Sequence, residues 1–415
     1  MQIRVLCKEI LLIKGGFMVK ERQVKVIRRF LILVISFVLL LNNKGVIAKE
    51  NALYFEQNSN MIKKEAELLI NAQLSERFRQ YYIVNEIEPV LCCFHYSENG
   101  GFEIKYLVNV HAVLKYKCVE DMHYFKGLLK SINLDNYSAK IHDTDVLCSE
   151  ILKSNSDIDN RENADSIACF VSKEYQRLSE FIGVEQIMPI YLMAKGTSIN
   201  DIELYVDDGD EYTHIDEFHL SDEESLVNNG IKMMNVQKFK IVNENITLRA
   251  QSLADAARSN AIIYVLNHTS NPTYCDFHGI GSGCDALRDS SKWNKSSYPQ
   301  ENEHNDCANF MSQALFASGF SMTSDWYYSN GSGSVAWNTV SGITTKLLGR
   351  IGIAPSGVIA PGYLVVTNNG GHIMMVTCHD GVNYRYSGHT NDRKDAILNF
   401  SSGVQYYNVN YGQNN

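Results

Sequence analysis

Apolar positions near residue 60 recur at helical spacing. Ala66, Leu69, Ile70, Leu74 and Phe78 form one stripe, which predicts a helix from Met61 to about Tyr82. The period then shortens to two. Pro89–Tyr96 is followed by the turn residues Ser97, Glu98, Asn99, Gly100 and Gly101. Ile104, Tyr106, Val108, Val110, Ala112 and Leu114 then share one face of a long strand, so a hairpin is predicted. Helices are expected around Tyr124–Ile132 and Ala168–Phe181, and extended segments at Pro189–Ala194 and Ile202–Val206. A helix from about Ser252 to Leu266 would turn Leu253, Ala257, Ala261, Tyr264 and Val265 inward, ahead of the turn Asn271-Pro272. From Asp306 to about Ser318 the spacing is helical again, with Ala308, Met311, Ala314 and Leu315 apolar and Gly319 suited to a C-cap. Ile373–Val376 reads as a buried strand. After the turn Asp380-Gly381, Asn383–Ser387 reads as its antiparallel partner. The fold class is α+β.

The N-terminus departs from this pattern. Lys25, Arg28 and Arg29 precede an almost wholly apolar run, Phe30–Leu41. About a dozen residues is short of the roughly 20 that span a bilayer. With Val46-Ile47-Ala48 offering a small-residue cleavage site, residues 1–48 are expected to be a secretory signal peptide, giving a secreted or wall-associated protein. Membrane attachment is expected only where that segment escapes processing. About 365 residues follow, more than one core usually serves. Two domains are therefore expected, 49–240 with an α+β pattern and no assignable role, and 252–415, with the boundary between Val236 and Ser252.

Removing residues 1–48 takes away nine Lys/Arg and two Asp/Glu. The remainder carries 29 basic and 45 acidic residues, a net charge of −16. Such a chain repels nucleic acid, and none is expected as a partner. The acidic run over 201–224, from Asp207 and Asp208 to Glu224, does not have EF-hand spacing and reads as a solvated edge. Nine cysteines remain after Cys7, and an odd number outside the cell leaves at least one free thiol. Cys275 and Cys284 flank a glycine-rich loop and are candidates to pair.

Cys307 is the candidate nucleophile. It opens a helix, with Asn305 or Asp306 as N-cap, where unpaired N–H groups and the positive end of the macrodipole favour thiolate. His372 follows Gly370-Gly371 at a strand start and is the candidate base. The hairpin would return His389 or Asn391 to the His372 end, and either could hold the imidazole. His389 is preferred, and Asp380 lies at the far tip. Asp306, Asn309 and Trp337 are candidates to line a substrate cleft, with Trp326 beside them, and the Cys307 N–H is the expected first oxyanion donor. A rival is a zinc site built from His304, Cys307, Cys378 and His389. Cys378 and His379 would point to opposite strand faces and no tight ligand pair repeats, so no metal and no cofactor are expected. A second rival is a binding module on a hydrolase-like fold.

Several segments carry a family likeness: Asn260-Ala261-Ile262-Ile263-Tyr264-Val265, Asn271–Phe277, Asn305–Leu315, Ser334–Asn338, Pro361–Val365, Gly371–Thr377 and Tyr386–Arg393. Of these, Asp306-Cys307-Ala308-Asn309-Phe310-Met311-Ser312-Gln313 is the specific one. Residues from about 254 to 412 resemble the putative amidase domain found in exported proteins of Gram-positive bacteria, a branch of the papain-like cell-wall hydrolases. The chain departs from that pattern at Ala257-Arg258-Ser259 and Ala360-Pro361-Gly362. The resemblance implies a Cys-bearing helix packed on an antiparallel sheet bearing His, with Cys307 as nucleophile and His372 as base. It also implies hydrolysis of an amide in peptidoglycan or its peptides through a thioester.

Overall fold

The structure is a computed structural model. It describes residues 58–411, apart from 98–99, 135–142, 156–157, 159–160, 208, 210, 244–247, 278–286, 300–305, 348, 356–357, 368–369 and 400–403. The expected signal peptide, Cys284, His304, Asn305 and the acidic Asp208 and Asp210 lie outside the described residues. The chain divides into Met1–Lys64 and Glu65–Asn415, and the second unit carries all the elements that follow.

Residues 65–78 are helical (α1), and of the expected stripe Ala66, Ile70, Leu74 and Phe78 are fully buried while Leu69 is half-buried. The helix stops short of Tyr82 because strand β1 (Tyr82–Tyr96) begins there. β1 starts well before the expected Pro89: its first half alternates with Glu86 and Glu88 at a sheet edge, so hydrophobicity marks it poorly. β2 (Phe102–Leu114), β3 (Glu185–Gly196), β4 (Glu203–Asp207) and β5 (Tyr212–His214) complete an antiparallel sheet in sequence order. Helices α2 (His123–Ser131), α3 (Thr144–Ser154), α4 (Arg161–Ser179), α5 (Glu223–Asn243) and α6 (Leu248–Asn267) accompany it. α2 and α5 cross at Gly127 and Gly230, where an added Cβ would overlap the carbonyls of Val227 and Tyr124. Glycine alone permits that approach. The expected boundary between Val236 and Ser252 falls where α5 gives way to α6.

The second sheet has the order β12-β11-β10-β9-β13-β8. Its strands are β8 (Ile351–Ile353), β9 (Leu364–Val366), β10 (Ile373–His379), β11 (Tyr384–Gly388), β12 (Arg393–Ile397) and β13 (Gln405–Val409). Between α6 and β8 come α7 (Cys307–Ala317), the short hairpin of β6 (Tyr328–Ser329) and β7 (Ser332–Gly333), then α8 (Val335–Asn338) and α9 (Val340–Lys346). α7 packs on α6 and β10 through Phe310, Met311, Ala314 and Leu315 against Ala261, Val265, Ile373 and Met375. Leu253, expected inward on α6, is instead 58% exposed, and the buried stripe narrows to Ala257, Ala261 and Val265.

The two sheets meet where β12 lies against β3. Arg393 there donates to Asp207 Oδ2 from Nε at 2.9 Å and from Nη2 at 2.5 Å, and stacks 3.5 Å above the Tyr191 ring. Asp207 is thus buried in an ion pair, not part of a solvated acidic edge as the sequence suggested. A second tie runs from the Tyr82 hydroxyl to Asp380 Oδ2 at 2.8 Å.

Candidate active site

Cys307 is the first residue of α7, a free thiol only 4% exposed. Asp306 is the N-cap, but its side chain makes no capping bond to the helix backbone. Packing of α7 on β10 brings the sulfur beside His372, the residue just ahead of that strand. The His372 backbone is pinned from both sides: its N–H donates to Thr367 Oγ1 at 3.2 Å and its carbonyl accepts from Thr367 N at 3.1 Å. Burial pushes the Cys307 thiol up. The hydrogen bond and charge of His372, with the Ile373 N–H and the Thr390 hydroxyl, outweigh it and hold the thiol below its ordinary range. The helix start expected to favour thiolate is therefore assisted by three donors from the sheet.

Thr390 was not legible as a site residue. It follows β11, and the Met375–Ser387 register, continued outward, sets it opposite His372. The N–H groups of Asp306 and Cys307 both donate to Thr390 Oγ1, each at 3.2 Å. The Cys307 N–H, expected as an oxyanion donor, is therefore engaged by a side chain. Thr390 also holds a φ of 86°, an outlier for a β-branched residue.

His389 lies behind the nucleophile instead of behind the base. Its Nδ1 meets Asp306 Oδ2 at 2.7 Å and its Nε2 meets the His268 carbonyl oxygen at 2.7 Å. A carboxylate and a carbonyl only accept, so both ring nitrogens must donate, and His389 is an imidazolium. Its ring stacks on Phe310 at 3.4 Å between centroids, 1° from parallel, with Trp293 at 4.7 Å and 19°. Burial alone would lower its proton affinity; Asp392, Asp306 and the His268 carbonyl reverse that and raise it. With both nitrogens so committed, His389 does not supply the hydrogen bond to His372 that the sequence reading assigned it.

Residues 255–358 match the family model of the Putative amidase domain. The matched stretch holds Cys307, ends before His372 and lies in the C-terminal half of a mixed α+β chain, a likeness that suggests a hydrolase. No curated protein and no solved structure matches the chain closely enough to count.

Within the matched stretch the three proposed cleft residues are buried together. Asn309 Nδ2 donates to Asp306 Oδ1 at 2.8 Å, and Trp337 Nε1 donates to Asn309 Oδ1 at 2.8 Å. Trp337 and Trp326 are fully buried, and Asp306 and Asn309 are 3% and 4% exposed. A chain of hydrogen bonds therefore runs from His268 through His389, Asp306 and Asn309 to Trp337, bracing the helix start from inside. It lines no cleft. The sequence marks these residues as polar companions of Cys307; only packing reveals which way they point. Asn391, the alternative orienter, accepts the Leu287 N–H at 3.3 Å, and Asp380 closes the far hairpin tip by accepting from Val382 and Asn383.

Of the residues in the zinc alternative, His304 lies outside the described residues and the other three are not gathered around one point. His389 is bonded to Asp306, Cys307 to His372, and burial pushes the Cys378 thiol up to about 12. Among the described residues no group of three or more His, Cys, Asp or Glu side chains is placed to hold a metal ion.

Proposed function

We propose that this protein is an exported cysteine-dependent amide hydrolase of papain-like design, acting on peptidoglycan or its peptides. The observation that carries the reading is the sulfur of Cys307 at a helix start, hydrogen-bonded by His372 from the neighbouring sheet and held toward thiolate despite burial. Cys307 thiolate adds to the substrate carbonyl, and His372 as imidazolium gives its proton to the leaving amine as the C–N bond breaks. Water then attacks the thioester while His372 takes its proton, releasing the acid and restoring the thiolate. The match to an amidase family supports the amide as the bond cleaved. Export and a wall substrate rest on the leader pattern of residues 1–48 and on the family likeness. The anionic remainder of the chain disfavours nucleic acid.

Digestion of purified wall fragments, followed by mass spectrometry, tests this. The native protein should generate new amine ends that Cys307→Ala does not. Identical fragment profiles for the two would overturn hydrolysis of that substrate; cleavage that a chelator abolishes and alkylation spares would favour a metal site.

A further inference from the structure

Thr390 has a part in the chemistry that its residue type does not advertise. A hydroxyl has two acceptor lone pairs and one proton. At Thr390 the N–H groups of Asp306 and Cys307 both fall on the oxygen, each at 3.2 Å, which uses its accepting capacity. The proton remains, on a hydroxyl seated against the Cys307 backbone and numbered among the groups that hold the thiol below its ordinary range. We propose that Thr390 is a further catalytic residue, a hydroxyl loaded from behind by two backbone N–H groups that donates a hydrogen bond to the Cys307 sulfur and stabilises it as thiolate.

The loading matters because donors arranged in series polarise one another. The peptide groups at the start of α7 would otherwise point their N–H bonds at solvent or substrate. Here their pull passes through one oxygen and is delivered at the sulfur. The proton stays on Thr390 throughout, and no bond is made or broken there.

Two further observations fit a functional demand on this residue. Its φ of 86° is a conformation that a β-branched residue rarely adopts, and such strain persists where the surroundings impose it. Its neighbour His389 is clamped to Asp306, so the turn carrying Thr390 is fastened to the residue preceding the nucleophile. Adjacent side chains of one turn thus grip the start of α7, one by charge and one by its hydroxyl.

The inference rests on Cys307 being the nucleophile, and the test separates the two ideas because it needs no substrate. Iodoacetamide labelling of the full-length protein is followed by mass spectrometry of the Cys307-bearing peptide across pH 4–10, which gives the thiol's titration midpoint. Thr390→Val removes the hydroxyl at constant shape, Thr390→Gly removes it in a residue suited to the positive φ, and Thr390→Ser keeps it. Loss of a hydrogen bond to a charged group should raise the midpoint by roughly one unit in the Val and Gly variants, or about tenfold slower labelling below it. Thr390→Ser should track the native curve. A native midpoint that stays low in both hydroxyl-free variants overturns the role of Thr390 and leaves the nucleophile intact. An ordinary native midpoint near about 8.5 overturns both. Should Thr390→Val fail to fold, Thr390→Gly decides.

Discussion

Cys307 is almost sealed from water, and burial by itself makes a thiolate harder to form. His372 leads the groups that reverse this, so the sign of its removal follows directly. In His372→Ala burial prevails, the thiol's midpoint moves upward, and labelling at neutral pH slows. Amide hydrolysis should fall by about 10²–10⁴, the usual worth of a positioned general acid–base group. Peptide-resolved labelling and turnover measure the two effects, and an unmoved labelling curve would contradict the pairing. Cys307 and His372 could be found from sequence because a cysteine at a polar helix start and a histidine after two glycines are distinctive choices. Thr390 could not. Its part depends on a positive φ and on a strand register, and threonine is not among the residues one searches for as partner to a thiol.

The turn between β11 and β12 and the start of α7 act as one joined piece, and their link is the buried pair of His389 with Asp306. His389→Phe keeps a ring between Phe310 and Trp293 but leaves the Asp306 carboxylate without its cation. Breaking a buried pair on one side costs about 3–5 kcal/mol, measurable as a lowered urea midpoint. The pH dependence has a definite sign. The proton affinity of His389 is raised in the folded state, so its stabilisation is complete below the unfolded imidazole value of about 6.5 and is lost as pH rises through the folded one. The native protein should weaken as pH climbs above that range, and the weakening should be smaller in His389→Phe. Parallel curves for the two proteins would contradict a buried imidazolium. At this scale α7 and β10 were legible because each carries an apolar run, and β11 because the turn Asp380-Gly381 precedes it. β12 was not: Arg393 and Asp395 sit among its five residues, and their ion-pair partners lie elsewhere in the chain.

Across the whole described molecule, residues from Glu65 onward form one compact unit held by charges buried between its two sheets. Arg393 and Asp207 are 186 residues apart, and Tyr82 reaches Asp380 across a still longer interval. Asp207→Ala strands the Arg393 guanidinium above Tyr191 and should cost about 3–5 kcal/mol. Calorimetry should show a single transition at lower temperature. A separate early transition, with the segment around Cys307 still melting at its native temperature, would contradict this shared stabilisation. The α+β class was legible from hydrophobic period. The joining of the sheets was not, because it depends on two charged residues whose types alone suggest solvent.

Cys307 as the residue whose sulfur attacks an amide is tested most directly by digestion of wall fragments with native protein and with Cys307→Ala. The expected result is new amine ends with the native protein and none with the variant. Cleavage at the native rate by Cys307→Ala would contradict it.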